Sequence, residues 1–240
     1  MMQKLRFEPH LIPTLATVAG LALFVNLGLW QAGKAERRSA ELEQFGARAR
    51  LGPFAIGGQL VDPVQLQDAP VTVKGVYETQ FQFFVDNRQE DGHPGVHVVT
   101  PLKIAGSETR ILVNRGGVGW GQSRDALPKI STPDTLVEVA GVAAVPVNKP
   151  FFLMPNPPEQ LPRLWNRLDI ERFAQESAFT VQPVVLLQTG AGHADGLIRK
   201  WPPPEDRTAR HQSYAYQWFG MAIALLIFYG FSSLRPEKKE

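Results

Sequence analysis

Two long uncharged segments, one near each end of the chain, limit what this sequence can fold into more than any other feature. They cover residues 11–33 and 212–234, and all 25 Lys and Arg and all 23 Asp and Glu residues lie outside them. A bilayer core about 30 Å thick is crossed by roughly 20 apolar residues in an α-helix. Each segment has 23 residues, so the sequence predicts two membrane-spanning helices.

Each segment also has another interpretation. The first follows Lys4 and Arg6 and ends at Gly33-Lys34-Ala35, which matches the small-x-small cleavage site of a secretory signal peptide. Its apolar run exceeds the roughly 7–15 residues of such signals, which favours a span. The second segment could be a buried helix of a soluble protein, although such helices are seldom uncharged over this length.

The two spans divide the chain into five parts. Two spans place both termini on one side of the membrane, and the basic residues of the short tails favour the cytoplasm, because long loops cross largely regardless of their charge. We therefore predict a cytoplasmic tail at 1–10, a span at 11–33, an external domain at 34–211, a second span at 212–234 and a tail at 235–240. Outside the spans about a quarter of the residues are charged, as in soluble domains.

The external domain has the pattern of a β protein. Short β-branched runs separated by Gly, Pro and Asn predict a mainly antiparallel sheet or small barrel. The predicted strands cover residues 70–77, 80–87, 95–102, 109–114, 136–145, 181–188 and 197–201. Helical periodicity continues past the first span over 32–50, and a short helix is predicted at 169–177 with Asp169 as its cap.

Several classes of function are disfavoured by what the sequence lacks. Without cysteine there are no disulfides, thiolate metal sites or thiol redox chemistry. A net charge of +2 without a long basic stripe argues against nucleic acid. The sequence has no Gly-rich phosphate loop, Gly-x-Ser-x-Gly elbow or His-Glu-x-x-His motif. We therefore expect a protein that is not an enzyme.

Two histidines of the domain, His93 and His97, lie four residues apart around Pro94-Gly95. Alternate residues of a strand share a face, so a metal-binding pair is conceivable. The intervening turn residues favour the simpler interpretation of one histidine in a solvated turn and one in a strand. Asp86 and Glu90 nearby are explained by a charged hairpin turn.

His211 lies at the predicted membrane boundary and begins a stripe with Tyr214, Ala215 and Trp218, at helical spacings i+3, i+4 and i+7. In one interpretation this stripe is an aromatic belt at the headgroup level. In the other, the His211 imidazole ligates a haem iron and the aromatic rings form a stacking wall. Residue types alone favour the belt.

The end of the first span favours the haem interpretation. In an antiparallel pair of spans, Gly28, Trp30 and Gln31 lie at the level of His211. There Gly28 would permit close helix approach, and Gln31 or Gln217 could hydrogen-bond a propionate or its neighbour. The candidate cofactor site is therefore His211 as iron ligand with Tyr214, Trp218, Trp30 and Gln31.

The segment before the second span, Arg199-Lys200-Trp201-Pro202-Pro203-Pro204, has serial prolines that make it stiff and extended. A rigid linker is the favoured interpretation. Docking of a partner, or of haem propionates on Arg199 and Lys200, is the alternative.

In their order and spacing, these motifs resemble the Surfeit locus protein 1 family of cytochrome c oxidase assembly factors over nearly the whole chain. The elements that carry the resemblance are Leu27-Gly28-Leu29-Trp30-Gln31, Val85-Asp86-Asn87-Arg88, Leu112-Val113-Asn114-Arg115-Gly116, Trp201-Pro202-Pro203 and His211-Gln212-Ser213-Tyr214. One position departs from the family pattern, because Gly117 follows Asn114-Arg115-Gly116 where the family usually has Trp.

The resemblance implies a chaperone in the maturation of a haem–copper oxidase. Together with the two spans and the basic tails, it predicts a protein of the bacterial inner (plasma) membrane with its domain on the external, periplasmic side. It implies transient binding of haem a and insertion of that haem into the large catalytic subunit of a haem–copper oxidase. The histidine that opens the second span, His211 here, matches the proposed ligand of the family. The oxidase subunit is the expected partner, and the haem a synthesis machinery is a second candidate. The rival hypothesis is a scaffold that stabilises an oxidase assembly intermediate without binding haem.

Overall fold

The computed structural model describes residues 5–90, 92–120, 127–146, 163–190 and 195–236. The chain forms two compact units, a helical unit of Met1–Gln44 with Pro203–Glu240 and a barrel unit of Phe45–Pro202. In chain order the elements are β1 (Leu5–Phe7), α1 (Leu11–Ala49), β2 (Phe54–Ile56), α2 (Pro63–Leu66), β3 (Pro70–Tyr77), a 3₁₀ turn (Thr79–Phe81), β4 (Phe83–Glu90), β5 (His93–Ile104), β6 (Thr109–Gly119), β7 (Val137–Ala144), β8 (Leu164–Trp165), α3 (Ile170–Ser177), β9 (Thr180–Gln188), α4 (Thr208–Ser232) and β10 (Leu234–Pro236).

The helical unit contains the two uncharged segments as helices. Both α1 and α4 are long and apolar enough to cross a membrane. Many of their large apolar side chains are exposed, including Leu15 on α1 and Phe228 on α4. A buried helix of a soluble protein would cover such side chains, so their exposure favours contact with lipid. As predicted, α1 remains helical beyond its apolar part and ends at Ala49.

Glycines bring α1 and α4 into close contact. A Cβ atom at Gly28 would come within 2.6 Å of the Phe219 ring, and one at Gly20 within 2.8 Å of Leu225. The predicted role of Gly28 in close helix approach is therefore confirmed. At the far end of the pair, β1 and β10 join in a short antiparallel ladder that the sequence analysis did not predict.

The barrel unit confirms the prediction of a mainly antiparallel sheet or small barrel. Its eight strands follow the order β2-β3-β7-β9-β6-β5-β4-β8, and an additional β3–β5 pairing closes five of them into a barrel. Only β2–β3, β4–β8 and β6–β9 are parallel among the described pairs.

Among the apolar clusters of the barrel unit, two contain most of its buried residues. One fills the barrel with aliphatic residues that include Val73, Leu102 and Ile111, and alternation along each strand directs them inward. The other lies around Phe173 of α3 and Trp165, both fully buried. The Asp169 carboxylate accepts a hydrogen bond from the Arg172 backbone N–H at 3.0 Å, which confirms the predicted helix cap.

The prediction of a strand at 197–201 is wrong. Only Ile198 pairs, in a single bridge with Gly117. A ladder cannot continue because Pro202 and Pro203 follow and have no N–H to donate. The predicted start of the second strand is also wrong, because the 3₁₀ turn Thr79–Phe81 delays β4 until Phe83.

Candidate functional site

The centre of the candidate site is a hydrogen bond between His211 and Gln31. His211 lies in the first turn of α4, and its Nδ1 is 2.9 Å from Oε1 of Gln31 on α1. Since an amide oxygen can only accept, Nδ1 carries the proton and donates it. The neutral imidazole then has its lone pair on Nε2. A histidine that ligates a metal commonly has this arrangement, in which a partner fixes the tautomer and the ring, so Nε2 of His211 is chemically able to act as a ligand.

The predicted aromatic members of the site have contacts of their own. The Trp218 ring packs against Phe24, with centroids 5.9 Å apart, two helical turns along α4 from His211. Trp30 faces Lys34, whose Nζ is 3.7 Å from the ring centroid. Tyr214 and Trp30 are each about half exposed. Of the five predicted site residues, the structure joins His211 to Gln31, and the cofactor-binding roles of all five stay predictions.

A carboxylate–guanidinium cluster near His211 was missed by the sequence analysis. Arg207 donates to Oε2 of Glu205 through Nε at 2.8 Å, and Nη2 contacts the same oxygen. Arg38 of α1 donates to the backbone oxygen of Glu205 at 3.0 and 2.7 Å. Spacing is the one sequence feature that could have indicated this cluster, because Arg207 lies one turn before His211 and Arg38 lies two turns after Gln31.

Arg199, which the sequence offered for haem propionates, is already engaged within the barrel unit. Its Nη2 lies 2.5 Å from Oδ2 of Asp195, which also accepts from Nη2 of Arg115 at 3.0 Å. Burial disfavours the charge of Asp195, but the bonds from Arg199 and Leu197 N–H and the two guanidinium charges hold its pKa below the usual range. This buried cluster fixes the segment that leads to Trp201, which supports the linker interpretation.

The metal-pair interpretation of His93 and His97 finds no support. His93 is an exposed residue of β5, whereas His97 is partly buried and its Nδ1 accepts from the Asn114 amide at 3.0 Å. Burial, with a smaller effect of the Arg88 charge, lowers the pKa of His97 to about 4. Over the described part of the chain, no three His, Cys, Asp or Glu side chains converge as a metal site would require.

Trp201 is fixed at the edge of the barrel unit. Its indole Nε1 donates to the Gln188 backbone oxygen at 2.7 Å, and its ring meets the His97 ring edge-on with centroids 5.4 Å apart. The tryptophan that opens the proline run therefore holds the linker to the sheet.

The chain has two apolar helices, and the segment between them forms a five-stranded barrel. A hydrogen-bonded histidine lies in the first turn of the second helix. These features define a class of β-barrel proteins with an apolar helix on each side of the barrel in the sequence. The SURF1 family model matches residues 18–223. The chain therefore belongs to the SURF1 family.

Individual relatives are similar over most of their length. A SURF1-like protein of Rickettsia felis is 23% identical over 90% of this chain and 94% of its own. Surfeit locus protein 1 of Rattus norvegicus is 21% identical, covering 83% and 68% of the two chains. A SURF1-like protein of Monosiga brevicollis is 23% identical over 86% and 82%.

Proposed function

We propose that this protein is an assembly factor of haem–copper cytochrome c oxidase that holds haem a for transfer to the large catalytic subunit. The observation that carries the proposal is the His211–Gln31 hydrogen bond, which engages Nδ1 as a donor and keeps Nε2 as the ring nitrogen available to a ligand. Membership of the SURF1 family supports the link with oxidase assembly. The protein is a carrier and not an enzyme, and haem is its cargo.

In this proposal α1 and α4 cross the inner (plasma) membrane and the barrel unit lies on the periplasmic side. The exposure of apolar side chains along both helices supports this location. His211 and Gln31 then lie at the boundary between lipid and water. That location suits an amphiphilic cargo such as haem, whose apolar ring and charged carboxylates prefer opposite sides of the boundary.

A carrier must release what it binds. Imidazole from His211 is a strong ligand for haem iron, and Gln31 orients the ring through Nδ1. A single protein ligand at the partly exposed edge of a helix pair allows haem to leave more readily than a closed pocket with two protein ligands would. The haem a synthesis machinery would supply the cargo, and the large oxidase subunit would accept it.

The test compares His211→Ala with His10→Ala in cells that depend on this protein for oxidase assembly. His10 lies at the opposite end of the helix pair, next to Arg235, and is a matched control. We expect His211→Ala to lower the haem a content and activity of membrane oxidase to the level of a deletion, and His10→Ala to retain both. Normal oxidase with His211→Ala would refute the haem role and support the scaffold hypothesis, in which the protein only stabilises an assembly intermediate.

A further inference from the structure

The cluster of Arg38, Glu205 and Arg207 is a guanidinium site that already binds a carboxylate. Arg207 approaches the Glu205 carboxylate with both Nε and Nη2, and bonds from Arg38 to the Glu205 backbone oxygen keep a second guanidinium beside it. Arg38 also pairs with Glu41 at 2.8 Å. Both nitrogens contact the same carboxylate oxygen, Oε2, through charge-assisted hydrogen bonds, so Oε1 is not part of this contact.

The electrostatics of Glu205 support this description. The hydrogen bond and charge of Arg207, followed by smaller effects of the Arg210 and Arg38 charges, lower the pKa of Glu205. Three guanidinium groups thus favour a negative charge at this position. Asp206, the remaining acid next to the cluster, is engaged by the Thr208 backbone N–H at 2.9 Å.

The internal carboxylate is exchangeable. The side chains of Arg207 and Glu205 are 54% and 57% exposed, and ion pairs between exposed side chains contribute little to stability because water solvates both charges. A carboxylate held nearby by another strong contact can therefore replace that of Glu205 at little cost.

The cluster lies on the same side of the His211–Gln31 pair on both helices. Arg207 precedes His211 by one turn, about 6 Å along α4, and Arg38 follows Gln31 by about two turns of α1. Both arginines are displaced from the His211–Gln31 pair towards the charged part of the helices. A ligand whose iron binds His211 must keep its carboxylates on that side, because burying them in lipid is costly.

We propose that Arg38 and Arg207 bind the propionate carboxylates of the haem, and that the Glu205 carboxylate occupies Arg207 while the Glu41 carboxylate occupies Arg38 when no haem is present. This inference rests on the proposed function, since it needs a haem at His211. It adds a second recognition element to the iron ligand and makes Glu205 an internal competitor of the cargo.

The test titrates full-length protein in detergent micelles with haemin and with haemin dimethyl ester, whose propionates carry no charge. We expect the Arg38→Gln/Arg207→Gln variant to raise the Kd for haemin about tenfold, the loss of charge-assisted hydrogen bonds, and to leave the Kd for the ester unchanged. Glu205→Gln should tighten haemin binding and not ester binding. Arg37→Gln, the same change one residue from Arg38, should alter neither.

Three results would overturn the inference. The first is equal haemin affinity in the double variant and the wild type. The second is an equal loss of affinity for haemin and for the ester in the double variant. The third is loss of bound anionic phospholipid from the double variant without a change in haemin affinity. The last would assign the arginines to lipid phosphate. Failure of the proposed function is a different result, in which the wild type binds neither ligand or His211→Ala binds both normally.

Discussion

At the residue scale, the direction of one hydrogen bond decides what His211 can bind. Because Nδ1 donates to Gln31, Nε2 is the only ring nitrogen that can offer an electron pair. The sequence predicts both residues as neighbours, since helical spacing and antiparallel spans place them at one level. It does not predict the bond, or the contact of Arg38 with Glu205, 167 positions away. A long polar side chain can reach many hydrogen-bond partners, and the partner it binds depends on how the helices pack.

Gln31→Leu tests the orienting role of the amide. Without its partner the imidazole can rotate and change tautomer, so we expect haemin affinity to fall about tenfold or more, as for partners that orient metal-bound histidines. Titration monitored by the visible spectrum measures this. Gln44→Leu, the same change at an exposed position of α1, is the control. Wild-type affinity with Gln31→Leu would show that the hydrogen bond has no role in binding.

His97 should make the stability of the barrel unit depend on pH. Its pKa is about 4 in the folded protein and near 6.5 in an unfolded chain, so the unfolded state binds more protons between these values. The contribution of neutral His97 to the free energy of unfolding is therefore fully present above about pH 6.5. It is lost as the pH drops towards 4, and the free energy of unfolding falls by on the order of 2 kcal/mol.

Chemical denaturation of the full chain in micelles at pH 7 and pH 4.5 tests this prediction. His97→Gln removes the titrating group and should reduce the loss of unfolding free energy between the two pH values. His93→Gln, at an exposed position of the same strand, should retain the loss. An undiminished loss in His97→Gln would assign the pH dependence to other groups.

At the element scale, regular alternation is what made strands predictable. β3 has the predicted limits, Pro70–Tyr77, because its inward positions alternate over eight residues. β2 and β8 have only three and two residues, too few for a period to be seen. Trp201 follows a β-rich run but lies in an extended segment that pairs with the sheet only through Ile198. Its indole, and not a backbone ladder, binds it to the Gln188 backbone oxygen.

The packing of α1 on α4 predicts the effect of filling a glycine. A side chain at Gly28 would overlap the Phe219 ring, whereas one at Gly33 meets no atom within 4 Å. We expect Gly28→Leu to lower the Tm of the helical unit and to weaken haemin binding, because it separates His211 from Gln31. Gly33→Leu should change neither, as measured by circular dichroism and titration in micelles. Equal Tm values for the two variants would contradict this helix packing.

At the scale of the whole molecule, closure of the barrel was beyond what the sequence could determine. It depends on the pairing of β3 with β5, and the strand pattern fits an open sheet equally well. The two terminal helices, in contrast, follow from length and absence of charge alone. The order of helices and strands can therefore be predicted well from the sequence, whereas contacts between residues far apart in the sequence cannot.

The proposed orientation can be tested because the chain has no cysteine. A single cysteine at Glu108, an exposed position of the barrel unit, should react with a membrane-impermeant maleimide in intact spheroplasts. Arg6→Cys, in the N-terminal tail, should react only after permeabilisation. The reverse labelling pattern would place the barrel unit in the cytoplasm.

Ligation of haem a by His211 is tested by the visible spectrum of the full-length protein purified from cells that make haem a. We predict a haem a spectrum for the wild type and for His10→Ala, and its loss or a shift to a different ligation state for His211→Ala. An identical haem a spectrum with and without the His211 imidazole, at equal haem content, would contradict the account.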